Sequence, residues 1–195
     1  MQVIEKKIQL HRAQYDFCHS TELYRGFIGG RSSGKTFAAC YDLIRRAQRG
    51  CTYMVVGPTY TSLLDSTLRS FLKIGGKLSV IDFNSVKKSP PPAVTLGTGA
   101  EILFRSGDDP ERLRGANLSG CVLDEATLMS RDVYDISIAS LREAGQQGWL
   151  SAAMTPKGLT HWSYEIWGKG APDTAIYHAK TSDNPFNPPG FSEVL

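Results

Sequence analysis

Residues 29–36 read Gly29-Gly30-Arg31-Ser32-Ser33-Gly34-Lys35-Thr36. The spacing is G-x-x-x-x-G-K-[ST], and each residue type in it has a physical task. Glycines let the backbone turn tightly and approach an anion closely. Successive N–H groups then point inward as a nest, at a helix N-terminus whose dipole also favours negative charge. Lys35 supplies a cation, and the Thr36 hydroxyl is suited to ligating Mg²⁺.

The flanks agree with this reading. Tyr24-Arg25-Gly26-Phe27-Ile28 reads as a short buried strand running into the glycine-rich turn. After Lys35, residues Phe37, Cys40, Tyr41, Ile44 and Ala47 recur at steps of three and four, the spacing of one helix face. Asp42, Arg45, Arg46 and Arg49 supply the polar side, and Gly50 is expected to close the helix. A strand–phosphate loop–helix unit of this kind binds a nucleotide, with ATP and Mg²⁺ the expected cofactors.

Farther along, buried strands are expected at Cys51–Val56, Cys121–Leu123 and Trp149–Met154, and a last strand at Thr174–Ala179. Helices are expected over much of residues 1–23, at Thr61–Leu72 with Gly75-Gly76 as the stop, at Arg131–Glu143 and at Thr160–Trp167. Short strand-like runs at Leu78–Phe83, Ala93–Leu96 and Ala100–Phe104 read as an antiparallel excursion, with Gly97-Thr98-Gly99 as a hairpin turn. Ser106–Asn117 reads as a loop with one helical turn. Strands alternating with helices indicate an α/β three-layer sandwich on a mainly parallel sheet.

A nucleotide–Mg²⁺ site needs a carboxylate on a neighbouring strand. Cys121-Val122-Leu123-Asp124-Glu125 is an apolar run ending in two acids. Asp124 suits the metal beside Thr36, and Glu125 suits a general base for an attacking water. Arg31 lies inside the loop, where it either reaches the γ-phosphate or faces solvent. Thr155, before Pro156 at the end of a buried strand, either senses the γ-phosphate or simply ends the strand. Arg112 and Arg114 are either solvated loop arginines or groups that enter a neighbouring subunit's site. Such fingers raise rates on the order of 10³–10⁵-fold.

The chain has 195 residues, 41% hydrophobic and 21% charged, with a formal net charge of +3. That suits one globular domain and leaves a nucleic-acid partner permitted but not demanded. Nothing approaches the roughly 20 apolar residues that cross a bilayer, so no membrane partner is expected. The four cysteines and four histidines lack zinc-site spacing and read as free thiols and scattered imidazoles of a cytosolic protein. The turn-rich stretch Asp183–Gly190 is linker-like, which divides the chain into an expected nucleotide domain, 1–180, and a tail, 181–195. A two-core helicase needs a second unit, a kinase needs an acceptor site and a lid that are not legible here, and Glu125 argues against a module that binds nucleotide without hydrolysis.

Taken in order, these motifs resemble the ATPase domain of the large terminase subunit of tailed bacteriophages. Gln14, about twenty residues before Lys35, looks like that family's adenine-reading glutamine. Gly30-Arg31-Ser32-Ser33-Gly34-Lys35-Thr36 resembles its phosphate loop, Leu113-Arg114-Gly115-Ala116 its Arg-Gly segment, and Val122-Leu123-Asp124-Glu125-Ala126 its acidic pair. Ala153-Met154-Thr155-Pro156-Lys157-Gly158 is similar to its coupling motif, and Thr181–Pro185 to the end of the ATPase core. The resemblance implies a P-loop NTPase with the RecA-like additional-strand (ASCE) sheet. Arg31 becomes a catalytic residue and Arg114 a finger acting in trans. It also implies a homo-oligomeric ring, a pentamer by the family's example, on the portal protein. Such a ring moves double-stranded DNA with a small terminase subunit as partner, in the host cytoplasm. Family members usually continue into an RNase H-like nuclease; the present sequence carries no such segment, so no nuclease activity is expected from it.

Overall fold

In the computed structural model, residues 7–145 and 147–193 are described. Seven strands form one sheet: β1 (Tyr24–Gly29), β2 (Thr52–Gly57), β3 (Ala93–Thr95), β4 (Glu101–Ser106), β5 (Gly120–Asp124), β6 (Trp149–Met154) and β7 (Thr174–Ala179). Their spatial order is β3-β4-β2-β5-β6-β1-β7, and every pairing is parallel except β3 with β4. β6 is therefore inserted between β1, which leads into the phosphate loop, and β5, which ends in the acidic pair. The register sets Ile28 beside Met154 and Asp124 beside Ala153, so both functional strand ends open on one edge of the sheet.

Alternation along the strands divides the core in two. Val55, Val122 and Ala153 face one side, where they pack with helix α2 (Lys35–Arg46) and helix α3 (residues 60–78). Met54, Val56, Cys121, Leu123, Ala152 and Met154 face the other, against helix α4 (Arg131–Ala139) and Trp167. Both faces of the central strands are covered, which is why they read as unbroken apolar runs. The short helix α1 (Arg12–Cys18) packs Phe17 and Cys18 against Phe27 and Ala38.

A buried charge cluster ties this frame together. The spacing puts Asp42 on the polar side of α2, but it is fully buried and accepts from Arg25, Arg45, Arg46 and Ser151. Arg25, on β1, is equally buried, its guanidinium 5.6 Å from the Phe17 ring centroid and 5.0 Å from that of Trp149. Burial lowers its pKa to about 10, and Asp42 opposes that shift. An apolar strand left one long cation without water, and the helix packed above supplies its carboxylate.

Several expected elements differ. Among the described residues before β1, only Arg12–Cys18 is helical; residues 1–6 lie outside the description. α2 ends at Arg46, and Gly50 sits in the following turn. Gly75 and Gly76 do not stop α3. They lie inside it because Ile81 folds back so closely that a Cβ on Gly75 would meet its side chain at 2.4 Å. The helix stops at Ser79, in the left-handed conformation, and Ile81 makes only an isolated bridge to Leu96. The antiparallel excursion shrinks to β3, since β4 joins the parallel sheet beside β2. The helix from Arg131 ends at Ala139, and Glu143 instead accepts from the Thr52 amide and the Ser119 hydroxyl. The helix expected at Thr160–Trp167 runs over residues 162–168, with Tyr164–Gly168 as a π-helical turn.

Candidate nucleotide site

β1 ends at Gly29, and α2 begins at Lys35 after a left-handed Gly34 with φ 83°. A Cβ on Gly34 would lie 2.4 Å from the end of the Gln14 side chain, and the left-handed backbone also favours glycine here. Thr36, one residue into the helix, donates its hydroxyl to Asp124 Oδ1 at 2.9 Å. Lys35 Nζ lies 3.4 Å from Glu125 Oε1. Four residues from two distant stretches thus converge on one place.

Asp124 is 2% exposed. Burial raises its pKa above the ordinary carboxylate value, while hydroxyl donors from Thr67 and Thr36 pull it back. Thr67 donates to Oδ2 at 2.6 Å. It projects from the six-residue π-helical stretch Leu63–Leu68 inside α3. No spacing in the sequence points to it. Glu125 follows in the left-handed region, φ 52°, which is uncommon for a residue with a side chain and ends β5 in a sharp turn. The next residues wind as a 3-10 turn (Ala126–Leu128), from which Thr127 donates to the Thr155 carbonyl at 2.9 Å. That bond ties the acidic turn to the end of β6. Thr155 itself lines a cavity with Gly29 and Gly30, beside the start of the phosphate loop.

Hard oxygen donors in a buried carboxylate and an adjacent hydroxyl fit Mg²⁺. Among the described residues, no cluster of three or more His, Cys, Asp or Glu could hold a metal ion. A divalent ion here would therefore take most of its ligands from phosphate oxygens and water, as Mg²⁺ does.

The remaining expected residues fall as follows. Arg31 and Ser32 are exposed at the loop tip, and Ser33 is buried with its hydroxyl unpartnered among the described residues. Gln14 is 2% exposed; its Nε2 donates to the Gly34 carbonyl at 3.0 Å and its Oε1 accepts from the His11 amide. Beside it opens a cavity of about 440 Å³ lined by Gln14, Gly34, Phe37, Lys73, Asn184 and Phe186. Arg114 is not brought to Lys35 or Glu125. It follows a 3-10 turn (Pro110–Leu113), exposed, in a two-pronged pair with Glu111 at 2.6 and 3.1 Å. Their hydrogen bonds hold the Glu111 carboxyl below its usual range and raise the Arg114 guanidinium.

A parallel sheet with a strand inserted between the phosphate-loop strand and the acidic strand, carrying Lys35, Thr36, Asp124 and Glu125 at one edge, defines a P-loop NTPase of the RecA-like additional-strand class. Within that class the sequence is specific. The profile of the phage terminase large subunit family matches residues 21–191, and the chain belongs to that family. The large terminase subunit of Thermus virus P23-45 is 28% identical over 178 residues, a match covering 82% of this chain and 36% of that protein. The chain thus spans about a third of its curated relatives' length. The large terminase of a thermophilic bacteriophage superposes with a TM-score of 0.82 at 16% identity, over 96% of this chain and 50% of that one. The large terminase ATPase domain of Thermus phage P74-26 gives 0.62 at 24% identity, over 88% and 81%. The former protein has also been solved with ADP and with ATP-gamma-S. Among the described residues, no helix is long and apolar enough to cross a membrane.

Proposed function

We propose that this chain hydrolyses ATP and that the hydrolysis powers translocation of double-stranded viral DNA into a prohead. The observation that carries the reading is the convergence of Lys35 with Glu125 and of Thr36 with Asp124 at one sheet edge. The phosphates lie in the loop Gly29–Thr36, with Lys35 on the β- and γ-oxygens. The base enters the cavity beside Gly34, where Gln14 has a second Nε2 proton to offer it. Thr36 and Asp124 would hold Mg²⁺, which would supply positive charge against the phosphates. The Lys35–Glu125 contact opens as phosphate takes the lysine, and Glu125 Oε1 accepts a proton from the attacking water. Arg31, at the loop tip, stabilises charge on the γ-phosphate.

Arg114 acts in trans. Its exposure, and its pairing with Glu111 instead of with a group of its own site, support a role on a neighbour, reached when the Glu111 pair exchanges for phosphate. Thr155, tied to the acidic turn through Thr127, passes the nucleotide state on. The working form is a homo-oligomeric ring, a pentamer by family resemblance, on the portal protein, with the small terminase subunit as partner in the host cytoplasm. Residues 1–180 form the body of the ATPase domain, and 181–195 are its tail, of which Thr181, Asn184 and Asn187 lie against the phosphate loop.

Steady-state hydrolysis per subunit against protein concentration tests this, with Glu125→Gln, Arg114→Ala and an equal mixture of the two. The expected result is a specific rate that rises with concentration, two inactive variants and partial recovery in the mixture. A flat rate with a fully active Arg114→Ala overturns the trans finger. Absence of Lys35-dependent hydrolysis under any assembly condition overturns the motor reading.

A further inference from the structure

The outer face of the phosphate loop is capped, carbonyl by carbonyl. Two of its N–H groups are spent inside the protein, Gly30 on the Ala179 carbonyl and Ser33 on the Gly30 carbonyl, while the carbonyls of residues 31–34 each meet a side chain from another segment. Thr181 Oγ1 donates to the Arg31 carbonyl at 2.8 Å. Asn184 Nδ2 and Asn187 Nδ2 donate to the Ser32 carbonyl at 2.7 and 3.2 Å. His11 Nε2 meets the Ser33 carbonyl at 3.0 Å, and Gln14 Nε2 the Gly34 carbonyl at 3.0 Å. Four successive carbonyls, residues 31–34, are thus held from outside, two by the segment that follows β7 and two by the start of α1.

We propose that residues 181–187 form a clamp on the phosphate loop, with Asn184 a positioning residue that couples nucleotide binding to the order of this segment. The inference rests on the nucleotide-site reading above. Ser32 sits at φ 58°, a conformation disfavoured for a non-glycine residue, and its carbonyl takes two side-chain amide donors from the segment that follows β7. The clamp therefore acts where the loop is least stable by itself. Asn184 also closes a turn, its Oδ1 accepting from the Phe186 amide at 3.1 Å. That turn stands Phe186 at the wall of the cavity beside Gly34, together with Phe37 and Gln14. Asn187 Nδ2 also donates to the Thr181 carbonyl at 3.1 Å, which makes the segment one hydrogen-bonded unit. It touches the nucleotide site twice, through the loop carbonyls and through Phe186. A ligand that stabilises the cradle must then stabilise the clamp, and the reverse holds by the same free energy.

The test compares this chain with its Asn184→Ala and Asn187→Ala variants, using ADP with Mg²⁺ as the probe. Binding is followed by fluorescence of a methylanthraniloyl-ADP analogue, and amide hydrogen exchange is read by mass spectrometry. In the wild-type chain ADP is expected to slow exchange in both the loop and residues 181–187. Asn184→Ala is expected to weaken ADP about five- to tenfold, the worth of about one hydrogen bond. At saturating ADP it keeps protection of the loop and loses it in 181–187. Asn187→Ala, which removes the longer of the two bonds to Ser32, shows the same pattern more weakly and carries the comparison if circular dichroism shows Asn184→Ala unfolded. Affinities within about twofold for both variants, or wild-type exchange in 181–187 indifferent to ADP, overturn the clamp. A wild-type chain that binds no ADP overturns the nucleotide site itself.

Discussion

Thr67→Val isolates one bond in the candidate site. The substitution keeps the β-branch and the volume and removes only the donor that reaches Asp124 Oδ2 at 2.6 Å. A hydrogen bond to a charged group contributes about 1.5–3 kcal/mol. Asp124, 2% exposed, has no water to substitute for the lost hydroxyl. A loss near ~2 kcal/mol at neutral pH is therefore expected, read as a lower urea midpoint at unchanged slope. The sign with pH follows from which form the hydroxyl prefers. Thr67 favours the ionised carboxylate, so the deficit is present at neutral pH. It shrinks toward the roughly 1 kcal/mol of a neutral bond as pH falls through the Asp124 pKa, which burial sets above the ordinary carboxylate range. Because a metal needs the ionised form, the acid limb of the kcat/KM profile for MgATP moves to higher pH in the variant. An unchanged urea midpoint at neutral pH, together with an unmoved acid limb, would refute the assignment of Thr67 as the support of Asp124.

Three further outcomes follow from the same geometry. The raised Asp124 pKa means that this group favours folding at acid pH and that its contribution is lost as pH rises through the folded value, so the ionised form costs stability at neutral pH. Asp124→Asn should melt higher than wild type without nucleotide at pH 7 and lose the stabilisation that MgADP confers on wild type; a lower melting temperature without nucleotide contradicts the desolvation argument. Arg25→Met leaves the buried Asp42 with Arg45, Arg46 and the Ser151 hydroxyl and should cost about 3 kcal/mol in urea unfolding; a loss below about 1 kcal/mol would make the pair dispensable. Gly34→Ala meets both a left-handed backbone and Gln14 Nε2 at 2.4 Å, and should abolish ADP binding in a calorimetric titration while far-UV circular dichroism stays near wild type.

Much of the molecule was legible from residue order because its signals are local. The phosphate loop is eight contiguous residues whose glycines, lysine and threonine each answer a backbone or charge requirement within a few ångströms. The acidic pair announces itself as an apolar run that stops at two carboxylates. The same logic fails wherever packing overrides local propensity. Gly75 and Gly76 look like a helix stop, yet α3 runs through them because Ile81 needs the space a side chain would fill. Asp42 has the spacing of an exposed helix face, yet it is buried because Arg25 lies beneath it.

The sequence by itself determined the strand–loop–helix unit, the chemistry gathered in Lys35, Thr36, Asp124 and Glu125, and an α/β sheet buried on both faces. Only the tertiary structure decided which strand is the inserted one, β6, that Thr67 supports Asp124, that Arg114 rests on Glu111 away from its own site, and that Thr181, Asn184 and Asn187 cap the phosphate loop. The reason is physical. Periodicity and backbone preference act over a few residues and leave a trace in spacing. A hydrogen bond such as Asn184 to Ser32 joins groups 152 residues apart, and nothing in either neighbourhood records the other.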